Sequence, residues 1–485
     1  MSLITPFFKD AVFINNEWLA ADSGETIDVI NPATGEKIGS VPNCGQAETA
    51  RAIDAAAEAF KSWKATTADH RSNLMLALCD QIAENADALA ELLTLEMGKP
   101  LNEAKGEVLG GMKYLKFFAE EARRIYGDLI PSPWGDRRLM VTKEPVGVVG
   151  AITPWNFPSS MIARKMGAAL ATGCTMVIKP SELTPFSALA YGVLAEKAGI
   201  PAGVINVLTG DAPAIGSEMC DNPKLRKITF TGSTRVGKLL ASNAAANMKK
   251  ISMELGGNAP FIVFEDADID KAVEGAIASK FRNSGQTCVC ANRVYVQAGI
   301  YDAFAAKLKD AVEAQLKPGN GMDPDTTQGP LIDERAITKV SEHLEDAVSK
   351  GGKLITGGSR AGNVGTFFEP TVVTNANSSM RVATEETFGP LALLFKFDSE
   401  AEAIELANAT EYGLACYFYT KDLGRAFRVS EALEYGLVGI NEGVITTEVA
   451  PFGGVKDSGM GNEGSKYGLD DYLNVKYSCF GGLGM

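Results

Sequence analysis

The stretch Phe281-Arg282-Asn283-Ser284-Gly285-Gln286-Thr287-Cys288-Val289-Cys290 holds the residue types best suited to chemistry. Two thiols one residue apart, preceded by small and polar residues and not by an apolar run, predict an exposed turn. A cysteine reacts as its thiolate, and burial among apolar side chains raises its pKa and leaves it inert. The neighbours of Cys288 argue against such burial. Any single cysteine is more simply a small hydrophobe, so a nucleophilic role for Cys288 has to be supported by the rest of the chain. The two histidines, His70 and His343, fall in polar, helix-like surroundings. Neither has the spacing of a zinc site, and no Cys-x-x-Cys pair is present, so no metal is expected. A base for Cys288 is then a carboxylate or water.

The elements that must position this turn follow from the apolar pattern. The N-terminal stretch through Val41 reads as short strands and turns, with Asn31 to Gly35 as a turn cluster. From Gln46 to Trp63, apolar Ala50, Ile53, Ala57, Phe60 and Trp63 recur at helical spacing, and helical patterns continue to about Ile125. Gly127 to Gly135 reads as a linker or the start of a hairpin. Short apolar runs then alternate with helical segments: Val146–Ile152, Met176–Ile178, Val204–Leu208 and Ile228–Thr231, then Phe261–Phe264, Val294–Val296, Leu391–Phe397 and Leu414–Thr420. This rhythm predicts two doubly wound, mainly parallel α/β units with ligands at the carboxyl ends of strands. The tail from Ser478 reads as a strand end or an arm.

A chain of 485 residues predicts two or three domains. Its formal net charge of −14 argues against nucleic acid or an anionic membrane surface as partner. No run of about 18 apolar residues is present to span a bilayer. Eight cysteines at this length are no disulfide framework, and without a basic then apolar leader pattern a reducing cytoplasm is expected.

The glycine-rich segment Phe230 to Lys238 follows a predicted strand and opens a helix, where amides can meet a phosphate. Leu239 stands where a Walker loop needs a hydroxyl, and the spacing is not Gly-x-Gly-x-x-Gly. A plain turn and a phosphate contact are both open on this segment alone. Polar groups also follow other apolar runs: Thr153-Pro154-Trp155-Asn156-Phe157-Pro158, Lys179-Pro180-Ser181-Glu182 and Glu254-Leu255-Gly256-Gly257-Asn258.

With Gly-Gln-Thr-Cys at Cys288 and Glu386-Thr387-Phe388-Gly389-Pro390, these segments resemble the NAD(P)-dependent aldehyde dehydrogenase superfamily from about Asn15 to Tyr472. Within it the chain is most similar to succinate-semialdehyde dehydrogenases, through Phe157 to Lys165, Phe281 to Asn283 with the Cys-Val-Cys triplet, Pro451 to Lys456 and Glu463 to Gly468. The resemblance implies two Rossmann-like units with a small β oligomerisation arm. It divides the chain into a cofactor domain (1–122 and 144–253), a catalytic domain (254–456), an arm (123–143 and 470–485) and a return segment (457–469).

The resemblance implies Cys288 as nucleophile, Asn156 and the Cys288 backbone N–H as oxyanion donors, and Glu254 as the base for hydrolysis. It implies a cofactor site of Thr153, Pro154, Trp155, Lys179, Ser181, Glu182, Gly232, Ser233, Leu255, Glu386 and Phe388. A carboxylate at the ribose repels a 2′-phosphate, so Glu182 favours NAD, with NADP the alternative. Arg164, Arg282 and Thr447 are implied to bind the distal carboxylate of succinate semialdehyde, glutarate semialdehyde being the alternative; threonine stands where serine is usual. The same resemblance implies a redox pair, Cys288 and Cys290, and a homodimer or homotetramer. A thiol hydrolase or acyltransferase would use the same cysteine but not Lys179, Glu182 and Glu386.

Overall fold

The computed structural model describes residues 4–483. The first three residues of the expected cofactor domain and the last two of the expected arm lie outside them. Among the described residues no helix is long and apolar enough to cross a membrane, and no group of three or more His, Cys, Asp or Glu could hold a metal.

The molecule is α/β, built on two large sheets. The eight-stranded sheet runs, in spatial order, Gly459–Met460, Lys250–Glu254, Leu225–Thr231, Val148–Ile152, Thr175–Lys179, Ile205–Val207, Val12–Ile14 and Glu17–Leu19. Its five central strands, from Lys250–Glu254 to Ile205–Val207, are mutually parallel. Every residue of Thr175–Lys179 is buried, as expected of a strand covered by helices on both faces. The chain winds outward from Val148–Ile152 in one direction through Thr175–Lys179 and Ile205–Val207, then returns to the other side with Leu225–Thr231. That reversal leaves a crevice past the carboxyl ends of Val148–Ile152 and Leu225–Thr231, where open α/β sheets take ligands.

The seven-stranded sheet runs Lys353–Thr356, Thr371–Ala376, Leu391–Phe397, Ala291–Gln297, Ala259–Val263, Ala415–Tyr419 and Leu437–Ile440. All neighbours are parallel except the antiparallel edge strand Lys353–Thr356. Cys288 and Glu386 precede strands of this sheet, Ala291–Gln297 and Leu391–Phe397, and do not follow them. The second sheet therefore offers its amino ends to the site, where the first offers its carboxyl ends.

A three-stranded antiparallel sheet joins Asp128–Ile130, Arg138–Pro145 and Leu473–Phe480. It leaves Leu129, Val475 and Tyr477 well exposed. The helix expected from Gln46 to Trp63 has those bounds, and it buries Ala52, Ile53, Ala56 and Trp63 on one face.

Candidate active site

The nucleophile turn is bent as expected but is not exposed. Phe281, Asn283 to Thr287 and Cys290 are buried, Cys288 and Val289 are half-buried, and Arg282 stays exposed. Most of the polar groups that suggested exposure are hydrogen-bonded internally, as buried polar groups usually are, the side-chain oxygen of Asn283 being without a partner. Gln286, fully buried, donates its amide to the carbonyls of Asn283 and Pro330, each at 3.2 Å, and accepts from the Ile332 amide at 2.9 Å. Asn283 and Ser284 both adopt positive φ. Gly285 is pressed so closely on the next loop that a Cβ there would lie 2.2 Å from the Gly389 carbonyl. A hydrogen bond of 3.1 Å from the Cys290 amide to the Thr287 carbonyl closes the turn. Burial, then the nearby Glu386 carboxylate, pushes the Cys288 thiol up to about 12.

Asn156 comes from the opposite sheet, in the loop after Val148–Ile152. Its side-chain amide donates to the Gln286 carbonyl at 2.9 Å, and Asn283 donates to the Asn156 carbonyl at 3.1 Å. The two loops are thus hydrogen-bonded to each other across the site, and Asn156 keeps one amide hydrogen for a ligand.

Two cavities meet at Cys288. The first, about 370 Å³, is lined by Arg164, Arg282, Thr447, Tyr114, Phe157 and Phe452, among others. Arg164 is buried in the helix Ser160–Thr172, with its guanidinium between the rings of Tyr114 and Phe452 at 4.6 and 4.8 Å. Its Nε and Nη1 have no hydrogen-bond partner, and Glu463 Oε2 lies 3.9 Å from Nη1 as an ion pair. Arg282 stacks over Phe157 at 5.2 Å. Thr447 lines this cavity, but its hydroxyl donates to Glu448 at 3.3 Å, so it is not a free donor for a carboxylate.

The second cavity, about 350 Å³, is lined by Pro154, Trp155, Asn156, Gly232, Ser233, Leu255, Glu386 and Phe388. Cys288 and Met161 line both cavities. Ser233 caps the helix Thr234–Ala245, accepting from the Val236 amide, so the amides of that first turn face the cavity end. Gly237 lets this helix approach Leu255, whose Cδ2 would lie 2.2 Å from an added Cβ. Lys238, the lysine of the imitated Walker loop, is paired with Asp457. Phe388 adopts φ of +58°, rare for a bulky residue; its ring meets Trp155 edge-on at 5.5 Å. Burial pushes the Glu386 carboxyl up to about 7.

Thr153, Lys179, Ser181 and Glu182 lie beside this cavity and not in its lining. Thr153 donates its amide to the Lys179 carbonyl at 3.1 Å, and its hydroxyl is buried without a partner. Lys179 pairs with Glu182 at 3.1 Å. Burial, which raises the Glu182 carboxyl, is outweighed by Lys179, and the carboxyl is held below its ordinary value.

Glu254 is not at a solvated helix start. It ends the strand Lys250–Glu254, is 3% exposed, and neither carboxylate oxygen has a partner. Burial, then Glu463, raises its carboxyl well above the ordinary range. It lies outside the lining of both cavities in this conformation.

The residue pattern did not single out Met161, Ser279, Lys113 or Arg335, which line the cavities, nor Lys165, which holds Glu463 and Thr231. His343 lies in the helix Glu334–Ser349, fully buried; it bonds Thr387 at 3.1 Å and Glu385 at 3.2 Å and supports the loop of Glu386.

Cys288 thus stands between one cavity with two arginines and another at a strand-order reversal. The model of the aldehyde dehydrogenase family matches residues 18–478. The chain belongs to the aldehyde dehydrogenase family. It is 60% identical to a glutarate-semialdehyde dehydrogenase of Pseudomonas putida over 97% of this chain and 98% of that protein. It is 58% identical to the NADP(+) succinate-semialdehyde dehydrogenase GabD of Escherichia coli over 98% of each. The crystal structure of succinate-semialdehyde dehydrogenase from Burkholderia pseudomallei superposes with a TM-score of 0.97 at 56% identity, covering 98% of each chain. Members of this family oxidise aldehydes with NAD(P), and this chain is an enzyme of that class.

Proposed function

We propose that this dehydrogenase oxidises succinate semialdehyde, with glutarate semialdehyde as the alternative, to the dicarboxylic acid. The observation that carries the reading is Cys288 in the wall common to both cavities, with Arg164 and Arg282 lining one and Glu386 the other. Two Arg164 nitrogens that have no hydrogen-bond partner support an anionic substrate end.

In this reading the Cys288 thiol gives its proton to a carboxylate or water, and the thiolate attacks the aldehyde carbon. The oxyanion of the thiohemiacetal accepts hydrogen bonds from the free Asn156 amide N–H and the Cys288 backbone N–H. The nicotinamide cofactor supplies a hydride acceptor. Loss of hydride from the thiohemiacetal carbon leaves a thioester on Cys288. Glu254 then takes a proton from water, which attacks the thioester, releasing the acid and the thiolate. Because its carboxylate stands outside both cavities, Glu254 must turn towards Cys288 for this step.

The capped helix at Gly232 and Ser233 suits a pyrophosphate, while Trp155, Leu255 and Phe388 offer walls for the nicotinamide. Thr153, with its unpartnered hydroxyl, Lys179, Ser181 and Glu182 are read as the adenosine side. Glu182, held ionised by Lys179, favours NAD over NADP. The turn closed between Cys290 and Thr287 supports the reading of Cys288 and Cys290 as a redox pair. The exposed apolar residues of the three-stranded sheet support an oligomerisation arm (123–143 and 470–485), and with it the division into 1–122 with 144–253, 254–456 and 457–469.

Initial rates across C3 to C6 ω-carboxylated semialdehydes with NAD and NADP test the substrate reading, with a maximum expected at C4 or C5. Cys288→Ala is expected to abolish oxidation and keep NADH binding. Turnover by Cys288→Ala at the wild-type rate would overturn the mechanism.

A further inference from the structure

Lys99 and Glu107 form an ion pair of 2.6 Å in which both side chains are 1% exposed. Neither has a role in the chemistry above. Burial of two opposite charges gains little net stability, and apolar residues of the same volume often do as well. What distinguishes this pair is the set of groups it holds.

The Lys99 ammonium donates to Glu107 and, at 2.7 Å, to the backbone carbonyl of Asn156. It also stands 3.8 Å from the centroid of the Phe157 ring. The other oxygen of Glu107 accepts from the amides of Ser159 and Ser160 at 2.9 and 3.1 Å. Those amides begin the helix Ser160–Thr172, which carries Arg164 one turn further on. One side of the pair therefore fixes the peptide of Asn156, and the other fixes the start of the helix of Arg164. Asn283, from the nucleophile turn, donates to the same Asn156 carbonyl. The carbonyl thus takes donors from both sides of the site.

A neutral methionine in place of Lys99 would fill the volume and leave the Asn156 carbonyl with Asn283 alone. The loop could then rotate, and the amide hydrogen kept for a ligand would rotate with it. Small displacements of a preorganised donor are costly, with losses of up to roughly 100-fold in rate for misplacement by about 1 Å.

We propose that the buried Lys99–Glu107 pair is a positioning strut that sets the Asn156 amide and the Arg164 guanidinium at a fixed separation, and so selects substrate length. The inference rests on the reading of Asn156 as oxyanion donor and Arg164 as carboxylate anchor. It differs from a merely structural role in what it affects: the polarisation of the carbonyl and the chain-length profile, not the reactivity of the thiol.

The test compares wild type, Lys99→Met, the neutral pair Lys99→Met/Glu107→Gln, and Asn156→Ala. Each is measured for thermal midpoint, for alkylation of Cys288 by iodoacetamide, and for kcat and KM with C3 to C6 semialdehydes and with butanal. Alkylation by iodoacetamide needs no oxyanion donor. Lys99→Met is expected to lose about 10-fold or more in kcat on semialdehyde and butanal alike, at an alkylation rate within about twofold of wild type. Its preference between adjacent chain lengths should flatten. The double variant, which keeps an acceptor for Ser159 and Ser160, guards against failure of Lys99→Met to fold and is expected to show the same split. Wild-type kcat and chain-length preference in either variant would overturn the strut. Parallel loss of turnover, alkylation and thermal midpoint would also overturn it, in favour of a purely structural pair. If Asn156→Ala is slow while the Lys99 variants are not, the strut alone fails; if Asn156→Ala turns over as wild type, the oxyanion reading fails and the strut with it.

Discussion

Glu254 ends its strand within the field of Glu463, and Glu463 is itself tied to Lys165. The carboxyl proposed to activate water is therefore buried, without a hydrogen-bond partner and in the field of a second carboxylate, with Lys165 and Arg164 acting against that field.

Protonation of Glu254 sets the first prediction. Its carboxyl is raised by burial, so the neutral acid persists above the ordinary carboxylate range, and the hydrolysis rate is expected to rise with pH through that raised value. Glu254→Gln should give one burst of NADH and then stall. The sign for stability is opposite. A carboxyl whose folded pKa is raised favours the native state below its unfolded value and loses that contribution as pH rises through the folded value. Glu254→Gln is thus expected to raise the thermal midpoint, with a larger gain at pH 9 than at pH 6. A lower midpoint at pH 9 would contradict an unpartnered buried acid.

Substrate recognition should divide along charge. Charge-assisted hydrogen bonds of a guanidinium to a carboxylate are worth about 1.5–3 kcal/mol. Arg164→Met or Arg282→Met should raise KM for succinate semialdehyde roughly 10-fold or more and leave butanal nearly unaffected. Thr447→Val should have a much smaller effect, because its hydroxyl is already given to Glu448. Equal losses on both aldehydes in the arginine variants would assign these residues to the fold and not the ligand.

Cofactor choice should turn on Glu182. Glu182→Gln is expected to raise kcat/KM for NADP and lower it for NAD, since the repulsion and the ribose hydrogen bonds are removed together. Arg335 lines the second cavity and its charge reaches Glu182; Arg335→Gln should reverse part of that gain. A wild-type preference for NADP would refute the reading of Glu182.

Oxidation tests the second thiol. Cys290 is buried and donates to the Lys280 carbonyl at 3.3 Å. Mild peroxide should inactivate the enzyme and a thiol reductant restore it, with a Cys288–Cys290 bridge detectable by mass spectrometry of the loop peptide. Cys290→Ala should stay active but lose activity irreversibly under peroxide, as Cys288 proceeds to sulfinic acid. Full recovery of Cys290→Ala would leave the second thiol a packing residue.

Much of the fold was legible because most strands of both sheets are continuous apolar runs, such as Met176–Ile178 and Phe261–Phe264, covered on both faces. Lys250–Glu254 and Lys353–Thr356 were not, because they begin with lysines and lack an apolar run. The residue types of the site were legible through the ordered motifs, but their burial was not. Gln286 looks like a surface residue until Pro330 and Ile332, more than forty positions away, supply its partners, and Asn283 does so until the remote Asn156 carbonyl accepts from it. Lys99 and Glu107 gave no signal at all, since one lies just before a helix and the other within it, and their targets, Asn156 for Lys99 and Ser159 and Ser160 for Glu107, are remote in sequence.

Two cavities that meet at one sulfur give the enzyme two doors. Exposed Lys113 stands at the rim of one and exposed Arg335 at the rim of the other. If the proposed function holds, an acid leaving past Lys113 and a dinucleotide leaving past Arg335 do not queue for the same exit. Traffic through the site is then ordered by affinity and chemistry and not by one passenger blocking the other.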